Sequence, residues 1–393
     1  MTDKIQVSLV KTAGDFMIGC IRLNKPKALN ALDLEMVNAM QSQLDAWRND
    51  NDIGAVFIDS EGEKSFCAGG DIVSMYRAMA SEQAMNSHKP PDFMAQFFEK
   101  EYRLDYTIHT FPKPIICWGN GIIMGGGLGI FAGASHKIVT ETVRVAMPEI
   151  TIGLFPDVGA SYFLNKMPKG VGKFLGLTAS SINAADCVNV GLADYFLLNE
   201  NKPALLSALS CLSELSNQNL NASITQVYNE YAANTVWLTL SGNLIPIIAE
   251  LEALAPLSNV SEIKAFMQKL IDKHPENKML TKAFLNLQNG SPISARLVIE
   301  QLNRGALLSL AECFKMELSM AFQCSVTGEF QEGVRALLID KDNQPSWLYK
   351  EDADIPDDII QAHFSRFNSK HSKNKNEPVL KNPLESLVDE YGK

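Results

Sequence analysis

The sequence predicts an α/β fold, and three features carry that reading. Over the first 200 residues, short apolar runs of strand length alternate with longer amphipathic ones. Twice the passage from strand to helix is a glycine-rich turn, Cys67-Ala68-Gly69-Gly70-Asp71 and Gly125-Gly126-Gly127. Beyond about residue 200 the strand patterns fade and helical ones take over.

In chain order, residues 5–10 and 16–23 read as two strands joined by a turn around Ala13-Gly14-Asp15. A helix is expected from about Leu32 to Arg48, with Leu34, Val37, Leu44 and Trp47 on its apolar stripe. Residues 54–59 read as a buried strand, followed by the first glycine turn and a helix. Residues 92–110 are helical in pattern, and Pro112 and Pro114 end that helix before a strand at 115–118. The second glycine turn opens an apolar helix, and strands are expected near 137–140 and 143–146. The predicted organisation is an α/β core over 1–200, a helical region over 201–365 and a polar, flexible tail over 366–393. No short internal repeat stands out.

Composition excludes several functions. Hydrophobic residues make up 46% and charged residues 20%, as in ordinary globular enzymes. A net charge of −10 argues against broad binding to nucleic acid or anionic membranes, so a polyanionic ligand must meet a local basic patch. The seven cysteines form no CxxC pair and read as reduced thiols. With no apolar run of spanning length and no targeting signal at the start, the expected location is cytoplasmic, with no membrane partner. There is no GxSxG and no GxxxxGK[ST], and the six histidines show no HExxH, so no metal site is expected.

Two glycine turns and two carboxylates remain. Turns that each lead into a helix can aim one backbone N–H apiece at a single point. A carbonyl oxygen that gains charge in a transition state is stabilised by about 3–4 kcal/mol per such donor. The plainer explanation of either turn alone is that glycine permits a tight bend. Glu149 follows Met147-Pro148, and Asp157 sits in Phe155-Pro156-Asp157-Val158-Gly159; both acids lie in apolar loops shaped by proline and glycine. An acid in such a place is either a helix cap or a tuned acid–base group.

Taken together, these segments resemble the crotonase (enoyl-CoA hydratase/isomerase) superfamily and, within it, the 3-hydroxyisobutyryl-CoA hydrolase subgroup. The stretches that carry the resemblance are residues 23–32, 65–72, 124–129 and 146–159, with Ser291-Pro292-Ile293-Ser294 and residues 330–342 further on. The resemblance implies a spiral of ββα units with a helical C-terminal region that commonly supports a trimer-based homo-oligomer. It implies that the N–H groups of Gly70 and Gly126 form an oxyanion hole. It also implies that coenzyme A is held around Lys25, Ala28, Leu29, Ala68, Gly69, Asp71 and Gly125, where Arg22, Lys25 and Lys27 supply three cations with no acid among them.

The family's hydratases carry a glutamate at the place matching Gly129, and this chain does not. With Asp157 present as in the hydrolase subgroup, hydrolysis of 3-hydroxyisobutyryl-CoA, or a similar short 3-hydroxyacyl-CoA, is expected. Glu149 acts as general base or as nucleophile, Asp157 orients the hydroxyl group or the water, and no cofactor is needed beyond the substrate's own CoA. The alternatives are a hydratase or isomerase of another acyl-CoA, and an acyl-CoA-binding protein without turnover.

Overall fold

In the computed structural model, residues 2–81, 89–230, 237, 240–367 and 381–388 are described. Most of the expected tail lies outside them. Residue contacts gather the chain into two compact units that interleave along the sequence. The first comprises Met1–Gly70, Thr107–Ala146 and Ser181–Ile248, and the second comprises Asp71–Tyr106, Met147–Ser180 and Ala249–Lys393. Tyr195–Phe196 is the last strand; every later regular element among the described residues is helical.

The first unit holds all nine strands found among the described residues. A six-stranded sheet has the order β1 (Ile5–Lys11), β2 (Met17–Leu23), β3 (Ile53–Ser60), β5 (Ile115–Gly119), β7 (His136–Val139), β9 (Tyr195–Phe196). Only β1 and β2 pair antiparallel, as a hairpin; the remaining neighbours are parallel. The central strands are apolar nearly throughout, as buried parallel strands must be. A second, parallel sheet holds β4 (Ser65–Cys67), β6 (Ile122–Met124) and β8 (Arg144–Ala146).

Helix Leu34–Arg48 starts two residues later than expected. Asp33 is its cap, accepting from the Met36 N–H at 3.0 Å, while Leu32 bridges to Gly70 instead. The buried stripe is Met36, Val37, Met40, Leu44 and Trp47, and the expected Leu34 is only half-buried. Trp47 packs flat on β2, where a Cβ on Gly19 would lie 2.7 Å from its ring.

The second unit is helical, and aromatic rings knit part of its core. Tyr102 and Tyr106 of helix Asp92–His109 lie 6.0 and 6.1 Å from the ring of Phe314. Helix Pro292–Gly305 begins at Ser291, which accepts from the Ser294 N–H at 3.0 Å. Helix Leu310–Thr327 begins with a reciprocal capping box between Ser309 and Glu312 and ends at Gly328, whose φ of 87° suits glycine.

Candidate active site

The small sheet of the first unit organises the backbone donors. Its strands are parallel, so their carboxyl ends share one edge. There the chain leaves β4 into the Gly69-Gly70 turn and β6 into the Gly125–Gly127 turn. The two turns touch: a Cβ on Gly69, whose φ is 108°, would lie 3.4 Å from the Met124 carbonyl oxygen and 3.9 Å from the Gly126 nitrogen. A Cβ on Gly127 would lie 2.3 Å from the Cys67 carbonyl oxygen, so glycine is obligatory if helix Gly126–Gly133 is to sit this close to β4.

Gly126 is the first residue of that helix, and its N–H has no acceptor within it. The first turn is pinned by Leu32 N–H to the Gly69 carbonyl (2.8 Å) and Ala68 N–H to the Leu29 carbonyl (3.1 Å). Among the described residues the Gly70 N–H has no backbone acceptor. Two neighbouring turns thus each present an uncommitted N–H, the resource a developing oxyanion requires. Gly129 is buried in the same helix.

The loop between β2 and helix Leu34–Arg48 is held by a residue the sequence reading passed over. Asn30 is buried with a φ of 56°; its side chain accepts from the Lys25 N–H at 2.8 Å and donates to the Glu61 and Ser65 carbonyls at 3.0 and 2.9 Å. Two of the three expected cations already have acidic partners. Arg22 lies directly across from Asp59 in the β2–β3 register and chelates it at 2.9 and 2.6 Å. Lys25 reaches the helix-capping Asp33 at 2.9 Å. Among the described residues Lys27 alone of the three forms no ion pair. Lys27 and Lys64 line a groove of about 400 Å³ together with the acids Glu61 and Glu63, while Ala28 stands exposed in the turn Pro26–Ala28. In the second unit, Asp71 caps helix Ile72–Met79, accepting from the Ser74 N–H and hydroxyl at 3.1 and 3.0 Å, which occupies the carboxylate expected to serve coenzyme A.

The second unit also brings together Glu149 and Asp157. Glu149 opens the short turn Glu149–Ile152 and is 4% exposed, and among the described residues its Oε2 has no hydrogen-bond partner. The turn is fixed through the Ile150 carbonyl, which accepts from the Ser291 N–H at 3.0 Å, and through Gly333, where a Cβ would meet Ile152 backbone at 2.4 Å. Asp157 is 5% exposed, and its Oδ2 accepts from the Tyr102 hydroxyl at 2.7 Å.

Three further buried acids, absent from the sequence reading, belong to this cluster. Glu101 and Asp105 stand one turn apart on helix Asp92–His109, with Glu101 Oε1 and both Asp105 oxygens unpartnered among the described residues, and Glu317 is buried on helix Leu310–Thr327. Burial raises the proton affinity of all five, and neighbouring acids raise it further in Glu101, Asp105, Glu149 and Glu317. Asp157 is pushed up to about 6 by burial, against the pull of the Tyr102 hydroxyl. Glu149 is held well above the usual carboxylate range by burial, then by the charge of Asp157 and that of Glu101. Glu101 and Asp105 are raised by burial and then by their acidic neighbours. Glu317 is raised to about 8 by burial, against the backbone N–H groups it accepts. Among the described residues none of the five forms an ion pair. Such a carboxylate, once ionised, is a far stronger base than one in water, which suits Glu149 to activating a water or attacking a carbonyl carbon. Among the described residues, no group of three or more His, Cys, Asp and Glu is disposed to hold a metal ion.

The chain is similar to known proteins over most of its length. A family model described as enoyl-CoA hydratase/isomerase matches residues 18–364. A protein of Danio rerio named 3-hydroxyisobutyryl-CoA hydrolase, mitochondrial, is 36% identical over 357 residues, covering 90% of this chain and 89% of its own. Its namesake in Gallus gallus is 34% identical over 348 residues, covering 88% and 86%. The crystal structure of an enoyl-CoA hydratase from Rhodobacter sphaeroides 2.4.1 superposes with a TM-score of 0.76 at 29% identity, over 92% of this chain and 97% of that one.

Proposed function

Because this chain belongs to the enoyl-CoA hydratase/isomerase family, we propose that it is a thioesterase that hydrolyses 3-hydroxyisobutyryl-CoA to 3-hydroxyisobutyrate and coenzyme A. The observation that carries the choice of hydrolysis over hydration is the buried acid loop. Glu149 is retained, Gly129 offers no second glutamate, and Asp157 is present with its own hydroxyl donor, Tyr102. Relatives named for this hydrolase match about nine-tenths of the chain.

In the proposed reaction the Gly70 and Gly126 N–H groups stabilise the thioester oxygen as it gains charge. Glu149 either takes a proton from the attacking water or adds to the carbonyl carbon itself, forming an anhydride that water then opens. In both routes the carbon–sulfur bond breaks, the thiolate takes up a proton, and the water oxygen ends in a carboxylate. Asp157 orients the substrate hydroxyl or the water. The nucleotide of coenzyme A is assigned to the loop around Ala28 and Leu29 with Ala68, Gly69 and Gly125. Lys27 and Lys64 of the adjoining groove are the cations free to meet phosphate, in place of Arg22 and Lys25.

The reaction requires no cofactor, and activity should survive exhaustive dialysis against a chelator. It corresponds to a step of valine breakdown. We further propose a trimer-based homo-oligomer with no nucleic-acid partner. Among the described residues no helix is long and apolar enough to cross a membrane. The two hydrolases compared are named as mitochondrial, so a cytoplasmic location for this chain is a proposal that fractionation would test.

The deciding assay offers the purified protein 3-hydroxyisobutyryl-CoA with a thiol reagent and, separately, crotonyl-CoA. Thiol release from the first alone is expected. Loss of the conjugated thioester from the second would favour hydration, and silence in both would leave a binding protein.

A further inference from the structure

Asp157 stands at the start of a backbone segment that the chain would not adopt unaided. The next residue, Val158, has a φ of 55° and Gly159 has a φ of 90°. Two successive left-handed residues are uncommon, and the first is β-branched, the kind of side chain least suited to that region. Val158 is fully buried, so its strain is not relieved by solvent. A conformation of this kind persists only where its surroundings over-determine it, and such places cluster at functional sites.

The surroundings here are two polar side chains from distant helices of the same unit. Glu317 accepts from the Gly159 N–H at 2.7 Å through one oxygen and from the Ser161 N–H at 2.8 Å through the other. The Gln301 amide, on helix Pro292–Gly305, donates to the Pro156 carbonyl and to the Ser161 hydroxyl, the latter at 2.9 Å. Both side chains are fully buried. Together they grip the chain on either side of Asp157 and Val158, at residues 156, 159 and 161. Neither bonds to Asp157 itself, whose carboxylate is left to Tyr102. An acid buried among apolar side chains costs more than an apolar residue of its size, and what the Glu317 oxygens hold in exchange is the loop.

We propose that Glu317, assisted by Gln301, is a positioning residue that holds the strained Pro156–Ser161 loop so that the Asp157 carboxylate is presented to substrate. The proposal rests on the role given above to Asp157. Glutamine at position 317 keeps the size and one acceptor but turns an amide N–H toward a backbone N–H, which releases one end of the loop.

The test is a double-mutant cycle on kcat/KM for 3-hydroxyisobutyryl-CoA, with wild type, Glu317→Gln, Asp157→Asn and the double variant. We expect Glu317→Gln to lose about tenfold, mostly in kcat, and to add less than twofold once Asp157 is already asparagine. A merely structural role would lower the melting temperature while leaving kcat of the folded fraction intact, or would multiply with the Asp157 loss; either result overturns the proposal. If Glu317→Gln does not fold, Gln301→Met is read in the same cycle, with an expected loss of about threefold that likewise vanishes in the Asp157→Asn background. If Asp157→Asn hydrolyses at the wild-type rate, the assigned role of Asp157 fails and this inference falls with it. If Asp157→Asn is impaired and the losses multiply, only the inference fails.

Discussion

The first unit carries two glycine turns with uncommitted backbone N–H groups, and the second carries buried acids, one of them on a strained loop. What holds each in place differs. The glycine turns are short-range objects, fixed by the contact of one strand end with one helix start, as between Cys67 and Gly127. The acid loop is a long-range object, fixed by residues well over a hundred positions further along, Gln301 and Glu317. Donors made of backbone are insensitive to pH and to most nearby substitutions, but intolerant of a single added methyl group. Acids in a buried cluster tolerate packing changes but answer to every neighbouring charge.

The sharpest way to separate the two regions is Glu149→Gln. It should leave the fold and acyl-CoA binding intact while reducing kcat by about 10²–10⁴-fold or more, since an amide is neither base nor nucleophile. Near-normal turnover would remove Glu149 from the reaction. The matching change in the first unit is Gly127→Ala. Its Cβ would stand 2.3 Å from a carbonyl oxygen, so the two turns must part, and a loss of about 10²-fold is expected, close to that for removing one oxyanion donor. That loss should be independent of pH; a loss that varies with pH would show that the two regions are not chemically separate.

Asp157→Asn comes next. A charged acceptor gains about 1.5–3 kcal/mol from a hydrogen bond against roughly 1 for a neutral one, so the preference for a 3-hydroxyacyl-CoA over an acyl-CoA lacking the hydroxyl should shrink about tenfold in kcat/KM. Equal losses on both substrates would move Asp157 from the hydroxyl to the water.

The smallest effect concerns stability. Glu101, Asp105, Glu149 and Glu317 bind their protons more tightly folded than unfolded, since burial raises each. Their contribution is therefore complete below the unfolded carboxylate pKa and is lost as pH rises through the folded values. The melting temperature should fall from pH 6 to pH 9, and Glu101→Gln should flatten that fall by a few degrees. A melting temperature that rises over the range would mean that these acids are ionised and paired in the native protein.

What the sequence made legible follows the same division. The glycine turns could be read because glycine is scarce in strands and helices and its need here is local. Glu149 and Asp157 stood out because each acid interrupts an apolar loop. The strands Ser65–Cys67 and Ile122–Met124 were missed, since three residues carry no periodicity. The cation patch was misjudged because Asp59 and Asp33, which neutralise it, come from a neighbouring strand and a helix cap. Glu101 and Glu317 passed as ordinary helical residues. A signal was present: Glu317 lies among Phe314, Met316, Leu318 and Met320, and Glu101 follows Phe97 and Phe98. An acid at the buried register of an apolar helix is either neutral or in use.

On the role proposed for Glu317, its grip on the loop also fixes when this protein can become active during its own synthesis. Gly159 and Glu317 are 158 residues apart. At a translation rate of about 5–20 residues per second, roughly 8–30 s pass between them. Throughout that interval the loop bearing Asp157 emerges without its clamp. The acids of the nascent chain then meet water and lose their protons at ordinary acidity, and the loop gains its hydrogen bonds to Glu317 only once helix Leu310–Thr327 has been made.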